Sequence, residues 1–165
     1  MSNQNLMLRI ANPIMKLILR APFHGMASDE IMLITVTGRK TGKTYTTPVN
    51  YVQDGNVLSV VSHTHRTWWR NLRGGASVTL RLRGQVVGAR GDVIEEPDAV
   101  AESLLHHLES VPQYAEALGI GLDDEGELIA ADATEAARGK VMVHITVPDS
   151  AVPEGAVPDE EETVD

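Results

Sequence analysis

The sequence predicts a mainly β protein of the α+β class, with six short antiparallel strands closed into a small barrel and helices on its outside. Three observations carry this expectation. From Ile31 onward, apolar and β-branched residues recur with a period of two in separate short runs. Asp54-Gly55 and Arg83-Gly84 stand between neighbouring runs as tight hairpin turns. The helical patterns lie outside these turn-linked strands, which suits an antiparallel barrel rather than a parallel α/β sheet.

In chain order, Asn5 to Arg20 reads as an amphipathic helix, with Leu6, Ile10, Ile14, Leu17 and Ile18 on one side and Arg9, Lys16 and Arg20 on another. Pro13 kinks it or starts a second turn. The segment is too short and too charged to span a bilayer, and its start lacks the basic region of a secretory signal. Its expected place is against the barrel; a basic helix 5–20 also suits peripheral contact with an anionic membrane surface. The strand candidates are Ile31–Thr37, Thr44–Gln53, Val57–Ser62, Ser77–Arg83, Gln85–Ile94 and Lys140–Val147. Pro48 puts the second near a sheet edge or a bulge. Thr64–Arg73 reads as a short helix ended by Gly74-Gly75, and Pro97–Glu109 and Pro112–Leu118 as helices with proline near the first turn. The expected division is a barrel domain over 1–147 and an extended acidic tail over 148–165, where proline recurs at Pro148, Pro153 and Pro158.

Length and composition fit one soluble domain with its own core: 165 residues, 42% hydrophobic and 22% charged. The absence of cysteine excludes disulfides and thiol catalysis and is compatible with a cytoplasmic location. The net charge of −9 is unevenly spread. Residues 1–90 hold 12 Lys and Arg against Asp29, Glu30 and Asp54, a balance of +9, whereas residues 91–165 sum to −18. An anionic ligand is therefore expected on the first half. Nucleic acid is not expected as a partner, since the acidic half would repel its backbone.

Two motifs carry chemistry. Gly38-Arg39-Lys40-Thr41-Gly42-Lys43 packs three cations between and beside two glycines, a pattern suited to cradling an anion. It is followed by Thr46-Thr47-Pro48 and, further on, by Trp68-Trp69-Arg70-Asn71-Leu72-Arg73. Aromatic rings and an amide beside a cationic turn suit a phosphate-bearing ring cofactor. The stretch Gly38–Thr44 resembles a nucleotide-phosphate loop, but it is one residue short and leads into a strand instead of a helix. His63 with His65, and His106 with His107, lack the spacing and companions of a metal site, so none is assigned.

These residues resemble the deazaflavin-dependent nitroreductase family. The likeness rests on Ile34–Lys43, Thr46-Thr47-Pro48, Tyr51–Gly55 and Trp68–Arg73 running into Val78-Thr79-Leu80, and is clear from about Ile31 to Ile94. It implies a split β-barrel, shared with FMN-binding relatives, and coenzyme F420 as cofactor. By this resemblance Arg39, Lys40 and Lys43 hold the anionic tail, Thr46, Thr47 and Pro48 line the ring, and Trp68 and Asn71 fix its other side. Hydride would pass to a small-molecule acceptor such as a quinone, nitroaromatic or enone. Tyr51 and Tyr114 are the candidates over the reacting face, because a phenol both stacks and donates a hydrogen bond to a developing oxyanion. The chain departs from the family in Tyr45 where arginine is frequent, in the short loop His63–Thr67, and in Ala117 where a second aromatic is common. An FMN-dependent reductase and a non-catalytic cofactor carrier are the alternatives, and a homodimer is a further expectation.

Overall fold

The structure, a computed structural model, describes residues 31–151; the expected helix at 5–20 and the tail from 152 onward lie outside them. One antiparallel sheet holds seven strands: β1 (Ile31–Thr37), β2 (Thr44–Asn50), β3 (Val52–Asp54), β4 (Val57–His63), β5 (Ala76–Leu82), β6 (Gln85–Ile94) and β7 (Lys140–Thr146). The expected count of six becomes seven because the run Thr44–Gln53 breaks at Tyr51.

That break curls the sheet into a half-barrel. The strand order is β2-β1-β5-β6-β7-β4-β3, so β2 and β3 stand at opposite ends of the sheet although only Tyr51 separates them in the chain. Asn50 still pairs with Ile31 of β1, whereas Val52 already pairs with Ser59 of β4. A one-residue link between the two end strands requires the sheet to curl until its edges meet. Tyr51 turns its ring into the core at this junction and is only 6% exposed.

Alternation then fills the interior. Met32, Ile34 and Val36 of β1, Leu58 and Val60 of β4, Leu80 of β5 and Val143 of β7 point inward, and Trp68, Trp69 and Leu72 pack against them. Leu80 is fully buried, and its truncation to alanine would cost about 2–5 kcal/mol. The short turn-rich links work as expected: Arg83 and Gly84 both take positive φ, 47° and 79°, between β5 and β6. Pro48 is accommodated because β2 ends the sheet.

A helical layer covers the outer face of β4 and β7. Helix α1 (Pro97–Ser110) is capped by Glu96, whose carboxylate accepts the N–H groups of Asp98 and Ala99 at 3.1 and 2.8 Å. Its stripe of Val100, Leu104 and Leu108 packs with Met142 of β7 and with Ala133 and Ala136 of the short helix α2 (Ala133–Ala136). Because both faces of β7 are covered, its sequence reads as a nearly unbroken apolar run. Two expected helices are shorter. Thr64–Arg73 forms only a 3₁₀ turn over Trp68–Leu72, since Gly74 and Gly75 at φ 76° and 89° end it before an α-helix can propagate. Pro112–Leu118 divides into 3₁₀ turns at Pro112–Tyr114 and Glu116–Leu118, stopped by Gly119 at φ 89°. Beyond β7, Asp149–Ala151 forms a further turn with Ala151 buried in the barrel core. Among the described residues no helix is long and apolar enough to cross a membrane.

Candidate functional site

The cationic turn between β1 and β2 is tightly folded. Gly38 N–H donates to the Lys43 carbonyl at 2.6 Å, and Gly42, at φ 67°, returns its N–H to the Gly38 carbonyl at 2.8 Å. A Cβ on Gly38 would lie 2.9 Å from the Tyr45 ring, so this position admits only glycine without rearrangement. Arg39, Lys40 and Lys43 are exposed around the turn. None of the ion pairs among the described residues involves them.

The tryptophan segment is brought against this turn. Asn71 Oδ1 accepts the Arg39 backbone N–H at 3.2 Å, and Asn71 Nδ2 donates to the Trp68 carbonyl at 3.1 Å. The Arg39 guanidinium donates to the Arg73 carbonyl. The turn and the tryptophan segment thus form one surface. Trp69 is a plug: it is 2% exposed, and its indole N–H donates to the His63 carbonyl at 3.0 Å. The Arg70 and Arg73 guanidinium groups sit over its ring, with centroid distances of 5.6 and 5.2 Å. Arg73 also forms a two-pronged pair with Glu95 at 2.9 and 2.7 Å, which holds the Glu95 carboxyl below the usual carboxylate range. Trp68 is 8% exposed and packs mainly in the core, so its ring offers a ligand an edge at most.

The three β2 candidates do not share a face. Register pairs Thr46 with Thr35 and Thr47 with Ile34, which sends Thr46 and Pro48 to the outer side and Thr47 toward the interior. The Thr46 hydroxyl is hydrogen-bonded to that of Thr35 at 2.8 Å. A ligand along this edge strand would meet Thr46 and Pro48 together, with Thr47 reached across the edge.

At the other end of β2 the chain lines a cleft of about 340 Å³, bordered by Tyr51, His63, His107, Tyr114, Ala117 and Leu118. The two tyrosines singled out in the sequence therefore meet at one site. Tyr51 OH accepts a hydrogen bond from Arg83 at 3.2 Å, and the same guanidinium donates to Gln53 Oε1 at 2.8 Å and to the Ala151 carbonyl at 3.1 Å. Tyr114 is 43% exposed on its 3₁₀ turn. His63 stacks on His65 at 5.5 Å, and with the Thr64 N–H held by the Gly139 carbonyl the short loop is fixed.

Three contributors escaped the sequence reading. Arg83 reads in the sequence only as a hairpin-turn residue, yet its guanidinium clamps Tyr51; the signal is a non-glycine residue in a two-residue hairpin turn. His107 lies on the buried stripe of α1, and its Nδ1 is 2.7 Å from Ser59 Oγ. Its position three residues after Leu104 marked it as inward-facing. Burial, with His144 and His106 nearby, pushes its imidazole down to about 4, so the ring is neutral at pH 7. Ser59, on an alternating strand, carried no such signal.

Residues 21–118 match the model of a family described as F420H(2)-dependent quinone reductase. No curated protein matches the chain. Among solved structures it is similar to a protein of unknown function from Agrobacterium tumefaciens, with 15% identity and a TM-score of 0.48 over 82% of this chain and 61% of that one. It is also similar to an F420-H2 dependent reductase, with 20% identity and a TM-score of 0.45 over 72% and 94% of the two chains. A third is an FAD and heme binding protein from Mycobacterium smegmatis, with 13% identity and a TM-score of 0.46 over 78% and 68%. The chain thus spans about three fifths of the length of the first of these, 61%.

Proposed function

This chain belongs to the family of F420H(2)-dependent quinone reductases, and from that premise we propose that it binds F420 along β2 and reduces a quinone in the Tyr51–Tyr114 cleft. Membership makes it a reductase that uses F420, in place of the FMN enzyme or the carrier that the residues alone left open. The observation that carries the placement is the contact of Arg39 with Asn71, which unites the turn and the tryptophan segment beside one end of β2.

The residues fit such a group. Arg39, Lys40 and Lys43 offer charge without a carboxylate partner among the described residues, which suits a phosphate and carboxylate tail. From Thr44 to Asn50 the strand runs roughly 20 Å, so an extended cofactor with its tail at the turn can carry its ring toward the cleft. Reduced F420, when bound, supplies the hydride. The protein's share is positioning and exclusion of water. Asn71 anchors the tail-binding turn, Thr46 and Pro48 border the ring, and Arg83 holds the Tyr51 phenol at the cleft wall. Tyr114 supplies a hydroxyl to the acceptor's oxygen.

A flat acceptor suits the cleft, and nitroaromatics and enones share with quinones an oxygen conjugated to the reducible centre. The test is retention of F420, FMN and haem by the purified protein, followed by turnover of menadione with reduced F420. Retention of F420 with menadione reduction is the expected result. Retention of FMN alone would overturn it.

A further inference from the structure

We propose that His107 is a second hydrogen-bond donor, beside the Tyr114 hydroxyl, to a carbonyl oxygen of the acceptor in the Tyr51–Tyr114 cleft, with Ser59 setting its tautomer. The assignment rests on the reading of that cleft as the acceptor site. The residue so assigned, a determinant of acceptor specificity, stands on α1, an element outside both sequence motifs.

The tautomer turns on where the Ser59 hydroxyl sends its proton. Ser59 Oγ lies 2.7 Å from His107 Nδ1 and 3.5 Å from the Val52 carbonyl, to which it would otherwise donate. At 3.5 Å the carbonyl is beyond a normal O–H···O bond, so in the proposed arrangement the proton goes to Nδ1. Nδ1 is then the acceptor, and Nε2 bears the hydrogen. Among the described residues Nε2 has no protein partner, and it is not a sealed polar atom, since Arg81 Nε is the buried side-chain atom left unpaired. The ring itself lines the cleft. An N–H that is unpaired, reachable and held in place by a half-buried serine is a donor waiting for an acceptor atom.

Electrostatics narrow the ligand. Around the ring stand Ser59 of β4, His144 of β7 and His106 on α1, and no Asp, Glu, Lys or Arg lines the cleft among the described residues. Burial keeps His107 neutral, as it does His144, whose Nε2 is 2.8 Å from Ser103 Oγ. A neutral donor among Val61, Val111 and Leu118 favours an uncharged carbonyl on a flat apolar ring and gives no advantage to a carboxylate. The N–H polarises the oxygen on which negative charge develops, and it does so without transferring its own proton.

The full chain in solution tests this, with menadione as the probe. Long-range ¹H–¹⁵N spectra at pH 7 are expected to show His107 as the Nε2–H tautomer, and added menadione, without cofactor, to shift both His107 Nε2 and the Leu118 methyls. In turnover with reduced F420, His107→Phe is expected to raise the KM for menadione roughly ten-fold with F420 affinity unchanged. His107→Gln, whose amide nitrogen sits near the place of Nε2, is expected to recover most of that loss. An Nδ1–H tautomer, equal loss in both variants, or menadione shifts at Leu118 but not at His107 would overturn the assignment and leave the cleft as the acceptor site. Turnover of menadione with no shift at either residue would overturn the cleft reading itself.

Discussion

The Arg39 backbone N–H is held by the Asn71 side chain at 3.2 Å across 32 residues of sequence, and Asn71 in turn is held by the Trp68 carbonyl at 3.1 Å. The relay fixes the cationic turn relative to the barrel plug. Preorganisation of this kind lowers the ordering cost of binding a flexible anionic tail. Asn71→Ala is therefore expected to weaken F420 binding by about 1 kcal/mol, the scale of one neutral hydrogen bond. Fluorescence titration of F420 checks it, and kcat at saturating cofactor should change little.

In the proposed site the exposed cations meet the anionic tail directly. Lys40→Ala is expected to lose about 1.5–3 kcal/mol of F420 affinity, as for a hydrogen bond to a charged group. The slope of log Kd against log salt should flatten in the same variant. Titrations at several salt concentrations measure both.

The two tyrosines should separate. Tyr114 is 43% exposed, so Tyr114→Phe is expected to slow menadione turnover and leave both F420 affinity and Tm unchanged. Tyr51 is 6% exposed and accepts a hydrogen bond from Arg83. Tyr51→Phe is expected to destabilise the fold by about 1 kcal/mol, because it removes one of the three groups that bond the Arg83 guanidinium. Denaturant melts of the two variants, read beside steady-state rates, distinguish the roles.

Much of this was legible in the sequence because the signals were local. Period-two runs gave the strands, and glycine-bearing turns gave the hairpins. The cationic turn and Asn71 could be named because glycine, charge and amide residues advertise their chemistry. What could not be read was relational. Nothing in Thr44–Gln53 says that Asn50 pairs with Ile31 while Val52 pairs with Ser59, since that switch depends on strands far along the chain. Thr46 and Thr47 look like one feature in sequence, yet the pleat sends them to opposite faces. Arg83 and Ser59 gained roles only through partners brought near by curling of the sheet.

Stability should carry the mark of two kinds of histidine. His107 has its folded pKa depressed to about 4 by burial, so the unfolded chain binds its proton more readily. Its contribution is present above about pH 6.5 and is lost as pH falls from there toward 4. His106 is the opposite case: hydrogen bonding to Asp54 at 3.1 Å, with Glu109 nearby, raises its pKa. Its contribution is present below about pH 6.5 and is lost as pH rises through the folded value. His107→Gln should accordingly flatten the fall of Tm between about pH 6.5 and 4 relative to the parent chain, whereas His106→Gln should lower Tm below about pH 6.5 and remove a loss of Tm that the parent shows as pH rises above it. Thermal melts from about pH 4 to pH 8 compare the three proteins directly.

Equilibrium titration of F420 and of FMN into the parent chain and into Arg39→Ala, Lys40→Ala and Lys43→Ala tests the placement of the cofactor most directly. The expected result is F420 binding by the parent, little or no FMN binding, and weaker F420 binding in each variant with a reduced salt slope. F420 affinity unchanged in all three variants would contradict it, and would make the turn between β1 and β2 a solvated hairpin with no part in holding the cofactor.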